Sequence, residues 1–556
     1  MPRRAADLLV ECLSLQGLDR AFCVPGESYL PVLDAFSTSN QVDLVTCRHE
    51  GGAGFMAVAD AKLTGRPGVA FVSRGPGATN ASIAVHTAEQ DGVPLILFIG
   101  QVSREDIGRG AFQEIDYQVY FGEIAKWVHT IEDAETIPEV IAAAVRIAST
   151  PTKGPVIIVL PEDMLDDHAD AEPEGPQDVM VSLPGPGDID HVAEMIAQAE
   201  RPLMIVGGEA AYSRDVLIRV SEEWSIPVAT SFKRQDLFDN NHPHYAGHLG
   251  FKIPPAQIEI MGEADLILAV GTRLGDVTTQ GYVLPAAPTP HQPLIHVYPD
   301  AEVLGRNYET EVGFACDVDA FLEALAETQA PEPPAARGDW IGRLNDHVEN
   351  LAKWDPDAAN EASDGVDFGH VIAALAPKLD DNAVLITDAG NFSSWLHRHF
   401  AFGPRHFLVG AVAGAMGMGV PAAVAAGRRM PPGHQIITFV GDGGYMMTGN
   451  ELATAMQYDV PVKIFVSNNR SFATIRLHQE KAFPGRTAST ELTNPDFAAL
   501  AEAFGAKGIV IDNVADVEAS VAEALAHDGP VVVDVRSSLD HISAYTTIDR
   551  LRNPPA

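Results

Sequence analysis

The sequence predicts an α/β protein built from three doubly wound parallel-sheet domains. Short β-branched and apolar runs alternate with helical stretches along the whole chain, a pattern typical of parallel sheets covered by helices. The chain has 556 residues, too many for a single hydrophobic core. Two acidic segments rich in Pro and Gly, 166–188 and 329–365, are predicted to be linkers. The predicted domains therefore span 1–170, 186–330 and 365–548.

The elements of each domain follow from composition and periodicity. In the first domain the predicted helices are Ala5–Leu15 and Gly51–Leu63, and the predicted strands are Arg20–Val24, Asp43–Cys47, Val69–Ser73, Leu95–Ile99 and Val156–Leu160. In the middle domain the predicted strands are Leu203–Val206, Val228–Thr230, Leu266–Val270 and Leu294–Val297, and a short helix around Trp340–Leu351 lies in the second linker. In the third domain the predicted strands are Ala383–Ile386, Ile436–Val440 and Val462–Val466, with a helix over Asn450–Tyr458.

Composition excludes several classes of function. A formal net charge of −39 argues against nucleic acid and anionic membrane surfaces as partners. The four cysteines lack the spacing of a metal site or a CxxC motif, so reduced thiols and a cytoplasmic location are expected. The N-terminus does not read as a signal peptide, and no apolar run reaches the ~20 residues that a membrane-spanning helix needs.

A glycine turn and an asparagine pair mark the most informative stretch of the third domain. Ile436–Val440 runs into Gly441-Asp442-Gly443-Gly444, and Val462–Val466 ends near Asn468-Asn469. Parallel strands end at one edge of the sheet, where ligands bind, so Asp442 and Asn469 are predicted to meet across 27 positions (469 − 442). Carboxylate, amide and carbonyl oxygens suit a Mg²⁺ ion that takes further ligands from phosphate.

These residues resemble the metal–diphosphate motif of thiamine-diphosphate (ThDP) enzymes, and the chain as a whole is similar to the large catalytic subunits of acetolactate synthases. The resemblance implies that Asp442, Asn469 and the carbonyl of Ser471 bind Mg²⁺. It also implies the domain order pyrimidine-binding, middle, diphosphate-binding. Because such sites are shared between chains, it further implies a homodimer at least, and a homotetramer where two dimers associate.

A glutamate in the first domain is the predicted activator. Glu50 ends a strand just before a Gly-Gly helix start, where partial burial would let it share a proton with a heterocyclic nitrogen. Residues 45–80 resemble the pyrimidine-binding half of ThDP enzymes, in which this glutamate protonates the aminopyrimidine and so promotes loss of the thiazolium C2 proton. Pro76 and Asn80 then flank the pyrimidine.

The resemblance assigns the remaining site residues. Gln113 and His478 join Glu50 as the predicted catalytic, substrate-facing residues, and Met416 is the residue that wedges the cofactor into a V shape. The full predicted cofactor-binding set is Pro25, Gly26, Glu50, Pro76, Asn80, Gly390, Asn391, Phe392, Gly414, Met416, Asp442, Gly443, Gly444, Asn469, Ser471 and Phe472. The roles of Lys126 and of His86, a core or interface histidine or an extra proton carrier, are left open.

The chain departs from the family at two substrate-facing positions. Val277 stands where acetolactate synthases carry the arginine that holds the acceptor carboxylate, and His478 replaces a tryptophan. A valine cannot make the charge-assisted pair that a carboxylate needs. The same middle-domain segment contributes to flavin binding in the family, so FAD is left open, with its absence favoured; Asp300 is read as a plain strand end.

The sequence therefore predicts a ThDP- and Mg²⁺-dependent lyase or carboligase that acts on a 2-oxo acid or a 2-hydroxyacyl compound. Three candidate reactions stay open within this class: acetolactate synthase-like carboligation, simple 2-oxo acid decarboxylation and 2-hydroxyacyl-CoA cleavage. A nonenzymatic nucleotide-binding homologue is disfavoured because the motifs are intact. A Rossmann dehydrogenase is disfavoured because Gly75-Pro76-Gly77 stands where GxGxxG would be expected.

Overall fold

The computed structural model describes residues 2–177, 181–251 and 253–553. Three six-stranded sheets follow one another along the chain, and this confirms the predicted α/β class with three parallel-sheet domains. The contacts divide the chain into two compact units. The first unit comprises residues 1–178, 356–394 and 409–556, and the second comprises residues 179–355 and 395–408. The predicted domain boundaries stay predictions, and residues 178–180 of the first predicted linker lie outside the described residues.

The first sheet is parallel, in the order β3-β2-β4-β5-β7-β6. The strands of this region are β1 Arg3–Arg4, β2 Arg20–Cys23, β3 Asp43–Thr46, β4 Gly68–Val72, β5 Leu95–Gln101, β6 Trp127–Thr130, β7 Pro155–Pro161 and β8 His168–Ala169. The helices are α1 Ala5–Leu15, α2 Leu30–Thr38, α3 Glu50–Thr64, α4 Gly75–Asp91, α5 Tyr117–Phe121 and α6 Ile137–Ser149. Every residue of β5 and β7 is buried, as expected of central strands covered by helices on both faces.

The middle sheet, in the second unit, is parallel in the order β11-β10-β9-β12-β13-β14. Its strands are β9 Pro202–Val206, β10 Val228–Ser231, β11 Tyr245–Leu249, β12 Leu266–Val270, β13 Leu294–Val297 and β14 Val312–Phe314. Its helices are α7 Pro186–Gln198, α8 Arg214–Glu223, α9 Pro255–Gly262, α10 Val318–Glu327 and α11 Ala336–Ala352.

The third sheet has the order β16-β15-β17-β18-β20-β19. Its strands are β15 Val384–Thr387, β16 Phe407–Gly410, β17 Ile436–Gly441, β18 Lys463–Ser467, β19 Lys507–Ile511 and β20 Val531–Val535. The helices are α12 Pro356–Ala359, α13 Gly369–Leu375, α14 Ser393–His399, α15 Gly419–Arg429, α16 Asp442–Thr448, α17 Leu452–Gln457, α18 Ala473–Ala482, α19 Phe497–Ala503, α20 Val517–Ala526 and α21 Ile548–Arg552.

The first and third sheets share one topology. Numbered within each domain, both have the strand order 2-1-3-4-6-5. The order reverses between β2 and β4 in the first sheet and between β15 and β17 in the third. Ligands of doubly wound sheets bind at the carboxyl ends of the strands that flank such a switch point. Two equivalent ligand positions are therefore expected in the first unit, one on each sheet.

Both predicted linkers contain regular structure. β8 lies in the first and pairs with β1. In the second, α11 is longer than the predicted helix and packs into the second unit through Trp340 and Leu344, each 1% exposed. The buried guanidinium of Arg337 donates hydrogen bonds to the carbonyls of Ala199 and Trp224. The sequence predicted only the part of this helix around Trp340–Leu351, because composition does not reveal a helix end whose stability comes from packing.

The glycine run at 441–444 was expected to be a turn, and the structure corrects this. α16 begins directly at Asp442, and all residues from Asp442 to Tyr445 are buried. Glycine has a low helix propensity, but here it allows close packing of the helix against its neighbours. The predicted helix over Asn450–Tyr458 is a short 3₁₀ segment, Gly449–Glu451, followed by α17.

No helix of the described residues is long and apolar enough to span a bilayer. The four cysteines, Cys12, Cys23, Cys47 and Cys316, are all buried and form no disulfide.

Two neighbouring histidines in the second unit, half-buried His248 and buried His397, are expected to make its stability sensitive to acid. The rings of His248 on β11 and His397 lie 5.7 Å apart, and Gln235 hydrogen-bonds to both residues. Burial lowers the pKa of His248 to about 4 and that of His397 well below its usual value. The neighbouring His248 and Lys233 lower the pKa of His397 further. Both imidazoles are therefore neutral in the folded chain near pH 7.

We expect the chain to lose stability as the pH falls from about 6.5 towards 4. The unfolded chain binds protons below the ordinary histidine pKa, whereas the folded chain does not, so His248 alone should cost ~2 kcal/mol between pH 7.5 and pH 5. Urea unfolding of wild type and His248→Gln at pH 7.5 and 5 measures the difference. His191→Gln, at an exposed position on α7, is the matched control. An equal acid-induced loss in wild type and His248→Gln would contradict the expectation.

Candidate active site

The switch point of the third sheet brings three glycine-containing segments together. β15 and β17 are parallel neighbours, and Asp388 and Asp442 directly follow their last residues. The Asp388 carboxylate is 1% exposed, and both of its oxygens accept the backbone N–H of Gly417, each at 2.9 Å. A Cβ at Gly444 would lie 2.5 Å from the same carboxylate. Asp388 therefore ties the loop after β15 to the Gly414–Gly417 turn and to the start of α16.

Asp442 lies beside the turn after β18, as the spacing of the motif predicted. Gly441 and Ser467 are register partners on β17 and β18. The Asp442 carboxylate accepts Gly443 N–H at 2.8 Å, and the nearby backbone N–H groups of Arg470 and Ser471 lower the pKa of this carboxyl group. Arg470 has φ +56°, a left-handed conformation that costs energy outside glycine and often marks functional sites.

The burial of Asp442 fits a cation site. Asp442 is 2% exposed. This burial raises the pKa of its carboxyl group to about 6, although the hydrogen bonds that the carboxylate accepts lower it. The Asn469 amide oxygen accepts Ser471 N–H at 3.2 Å. Mg²⁺ sites commonly use one or two carboxylates together with phosphate oxygens. Among the described residues there is no group of three His, Cys, Asp or Glu that could hold a metal on its own.

Two phenyl rings shape this half of the site. Phe392 packs so closely on Gly390 that any Cβ there would overlap its ring. Phe472 packs on Gly443 in the same way, with 2.5 Å between the ring and a built Cβ. Both were predicted to bind cofactor, and the structure places both against the glycines of the predicted diphosphate cradle.

The switch point of the first sheet carries the second cluster. Glu50 is the first residue of α3 and is half-buried. Asn80 Nδ2 donates to Glu50 Oε2 at 2.9 Å, and a Cβ at Gly77 would lie 3.4 Å from Glu50 Oε1. Pro76 is in the first turn of α4. The structure thus brings Glu50, Pro76 and Asn80 together.

The turn after β2 lies next to this cluster. Pro25 and Gly26 follow β2, and a Cβ at Gly26 would lie 2.5 Å from that of Ser73, which follows β4. The carbonyl of Gln113 accepts Gly75 N–H at 3.0 Å, so the loop that carries Gln113 lies against the start of α4. Gln113 itself has φ +65°.

The other residues that the sequence singled out differ in their placement. Lys126 donates to the carbonyl of Thr150 and packs on Gly154, a structural contact at the far end of the sheet from α4's first turn. His86 is exposed on α4, and His478 is exposed on α18. Met416 is half-buried in the loop before α15.

The described hydrogen bonds of Glu50 and of Asp442 share no residue. Those of Glu50 stay within the first domain, and those of Asp442 stay within the third. One chain therefore presents two separate clusters, and each has the residue types that the sequence predicted for one end of a single cofactor.

Comparison with known proteins identifies the family of the chain. Three domains described for thiamine pyrophosphate enzymes match the chain: the N-terminal TPP binding domain over residues 3–120, the central domain over 189–325 and the C-terminal TPP binding domain over 388–535. The large subunit of acetolactate synthase isozyme 1 from Escherichia coli K12 is 31% identical over 96% of this chain and 93% of its own length. This chain belongs to the thiamine pyrophosphate enzymes. Thiamine pyrophosphate and ThDP are the same compound.

Other relatives of this thiamine pyrophosphate enzyme cover it to a similar extent. The acetolactate synthase large subunit of Parasynechococcus marenigrum is 32% identical over 95% of this chain and 87% of its own length. YdaP of Bacillus subtilis, whose name refers to thiamine pyrophosphate and to no reaction, is 29% identical over 96% of this chain and 91% of its own length. The relatives establish the family across the whole chain.

The residues of this thiamine pyrophosphate enzyme fit a diphosphate in the third domain. Asn391 Nδ2 and Ser471 Oγ are buried, and no hydrogen-bond acceptor or donor is found for them among the described residues. Buried polar atoms normally have partners, so two such atoms beside one glycine cradle point to a polar ligand there. The roles of the individual residues stay predictions.

Sequence reasoning missed two half-buried polar residues that contact parts of the site, Asn494 and Asp91. Asn494 donates to Asp442 Oδ2 at 2.8 Å and to Asn468 Oδ1 at 2.9 Å. It therefore links the Asp442 carboxylate to the turn after β18. Asp91, at the end of α4, pairs with Lys62 and accepts Val412 N–H and Ala413 N–H of the loop that leads to Met416. These contacts join residues far apart in sequence, and no local pattern announces them.

Proposed function

We propose that this thiamine pyrophosphate enzyme uses ThDP and Mg²⁺ to break or form a C–C bond next to a carbonyl, on a 2-oxo acid or 2-hydroxyacyl substrate. The observation that carries this proposal is the pair of clusters at equivalent switch points of two sheets, Glu50 with Asn80 and Asp442 with the 469–471 turn. When bound, ThDP supplies an electron sink for the carbanion that such bond changes create.

The third domain would hold the charged end of the cofactor. Asp442, Asn469 and the carbonyl of Ser471 are the proposed Mg²⁺ ligands. Asn391 offers its unpaired Nδ2 to the diphosphate, and Gly390 and Gly414 let the backbone approach it. Met416, half-buried in the neighbouring loop, is the proposed wedge beneath the cofactor.

The first domain would supply the proton. Glu50 is the proposed activator: its Oε2 is fixed by Asn80, and Gly77 leaves space on the side of Oε1. A carboxyl group held in this way can pass a proton to and from a ring nitrogen without reorganising. Pro76 and Gly26 would line the same position.

The substrate side distinguishes the candidate reactions. The curated relatives named as acetolactate synthases support carboligation of 2-oxo acids. Val277, half-buried in the middle domain, cannot pair with an acceptor carboxylate, and this favours simple 2-oxo acid decarboxylation or 2-hydroxyacyl-CoA cleavage as the second candidate. Gln113 and His478 are the proposed substrate-facing groups.

A second copy of this chain would complete the site. Large apolar side chains are exposed near both clusters: Phe112 beside Gln113 is 73% exposed, Met446 on α16 is 54% exposed and Ile475 on α18 is 54% exposed. Exposed apolar groups concentrated at a site mark an interface. We infer at least a homodimer, in which the first domain of one chain faces the third domain of the other.

FAD stays open, with its absence favoured, and a visible absorption spectrum of the purified protein tests it. In the middle sheet the ends of β9 and β12 are in close contact, because a Cβ at Gly207 would lie 2.5 Å from the Gly271 carbonyl oxygen. The cytoplasmic location also stays a prediction.

The function is tested by incubating the ThDP- and Mg²⁺-loaded protein with pyruvate, a panel of larger 2-oxo acids and 2-hydroxyacyl-CoA thioesters, with products identified by mass spectrometry. We expect a ThDP-dependent product from at least one class. Two-substrate adducts indicate carboligation, aldehydes alone indicate decarboxylation, and an acyl-CoA fragment indicates cleavage. No ThDP-dependent product from any class would contradict the proposal.

A further inference from the structure

A buried carboxylate from the third domain reaches the turn that carries Glu50. Glu451 is 0% exposed. Its carboxylate accepts the backbone N–H of Arg48 at 3.0 Å and of His49 at 2.9 Å, and the hydroxyl of Thr454 donates to it at 2.6 Å. Arg48 and His49 are the two residues before Glu50, 403 and 402 positions away from Glu451. The contact therefore joins the two cofactor domains within one chain.

The local geometry makes this contact specific. N–H groups at the start of a helix have no partner inside that helix. His49 is the N-cap of α3, and its side chain accepts Gly51 N–H at 3.0 Å. Glu451 accepts the backbone N–H groups of Arg48 and His49, the two residues that precede Glu50. A Cβ at Gly52 would overlap the Glu451 carboxylate, so glycine there is what lets the carboxylate reach the turn.

The same segment of chain links Glu451 to the proposed metal site. α16 spans Asp442–Thr448, and the 3₁₀ segment Gly449–Glu451 begins at the next residue. Tyr445, on α16, is fully buried, and Thr454, on α17, is 0% exposed. The position of Glu451 is thus set by the element that starts with a predicted Mg²⁺ ligand.

Domain cohesion alone does not require this arrangement. Other buried or partly buried ion pairs already join the two domains, among them Arg429 with Asp60 and Arg428 with Asp43. Those pairs use side chains on both partners. Glu451 instead binds the backbone adjacent to Glu50, so its loss would move the Glu50 main chain as well as weaken the domain contact.

We propose that Glu451 is a positioning residue: it fixes the β3–α3 turn so that Glu50 presents its carboxyl group to the cofactor. The inference rests on the proposed role of Glu50 as activator. Glu451 does not itself touch the cofactor. Burying a carboxylate is unfavourable unless hydrogen bonds compensate, and here three donors do so.

The test compares Glu451→Met with Glu451→Gln. Methionine matches the volume but leaves Arg48 N–H and His49 N–H without an acceptor, whereas the glutamine amide oxygen can still accept them. Since a displacement of about 1 Å can cost ~10²-fold, we expect Glu451→Met to slow C2–H exchange of bound ThDP by ~10²-fold. Glu451→Gln should stay within about 5-fold of wild type on the same argument. ThDP affinity should change little in either variant.

A second readout does not involve the cofactor. In the stripped protein, amide hydrogen exchange of the peptide covering residues 46–52 should speed up in Glu451→Met and stay slow in Glu451→Gln. Asp60→Asn is the matched control, because it removes another buried carboxylate of the same domain contact on α3. It should lower the thermal midpoint without changing C2–H exchange or the exchange of this peptide.

The outcomes separate this inference from the proposed function. If Glu50→Gln slows C2–H exchange but Glu451→Met does not, Glu451 is not a positioning residue and the activator role stands. If Glu50→Gln leaves C2–H exchange unchanged, the activator role itself fails. Should Glu451→Met not fold, Gly52→Ala displaces the same carboxylate from the other side, and wild-type exchange in that variant overturns the proposal.

Discussion

Glu50→Gln is expected to bind ThDP and Mg²⁺ nearly as well as wild type and to lose turnover by 10²- to 10⁴-fold, roughly the contribution of a positioned general acid–base group. Glutamine keeps the length of the side chain and an oxygen that can accept the Asn80 hydrogen bond at 2.9 Å. It cannot give or take the proton. The loss should therefore appear in the chemical step and not in binding or folding.

Three measurements check this expectation. C2–H exchange of bound ThDP, followed by proton NMR after acid quench, should slow together with turnover. Calorimetry should give a ThDP affinity close to that of wild type, and the thermal midpoint should be unchanged. Glu27→Gln, at an exposed position just after β2 on the same edge of the first sheet, is the matched control and should behave as wild type. Wild-type turnover in Glu50→Gln would remove Glu50 from the mechanism.

The parts of the site that sequence could predict are those carried by local motifs. The start of α1 and the ends of β12 and β13 match the structure because burial and periodicity in one segment decide them. Asp442 and Asn469 could be paired because two neighbouring parallel strands bring them to one edge. Glu50 could not be singled out from its segment alone, and the family resemblance identified it.

What sequence could not predict depends on contacts between distant segments. Glu451 and Asp91 are ordinary helix-associated acids in the sequence, yet each holds backbone N–H groups of the other cofactor domain. The shared strand order of the first and third sheets leaves no comparable mark in the sequence. The full length of α11 could not be predicted either, because buried Trp340 and Leu344 and the hydrogen bonds of Arg337, rather than composition, stabilise it.

The second large effect is expected on cofactor binding, when Asp442 is substituted. Asp442→Asn is expected to weaken Mg²⁺-dependent ThDP binding by ~10²-fold or more, because losing even an outer partner of a metal ligand commonly costs 10- to 100-fold. The amide removes the charge and places N–H groups where Gly443 and Asn494 already donate. Calorimetric titration of stripped protein with ThDP and Mg²⁺ measures the loss. Asp512→Asn, an exposed carboxylate directly after β19 on the third sheet, should bind as wild type.

Mixing the two variants tests whether one site is built from two chains. In a dimer of one Glu50→Gln chain and one Asp442→Asn chain, one site carries both substitutions and the other carries neither. Random exchange of equal amounts makes half of the dimers mixed, so about one quarter of wild-type activity should return if each site is shared across a two-fold axis. Sites contained within single chains would regain no activity, because every such site would carry one of the substitutions. Co-expression with two different tags isolates the mixed dimer, in which one competent site should remain.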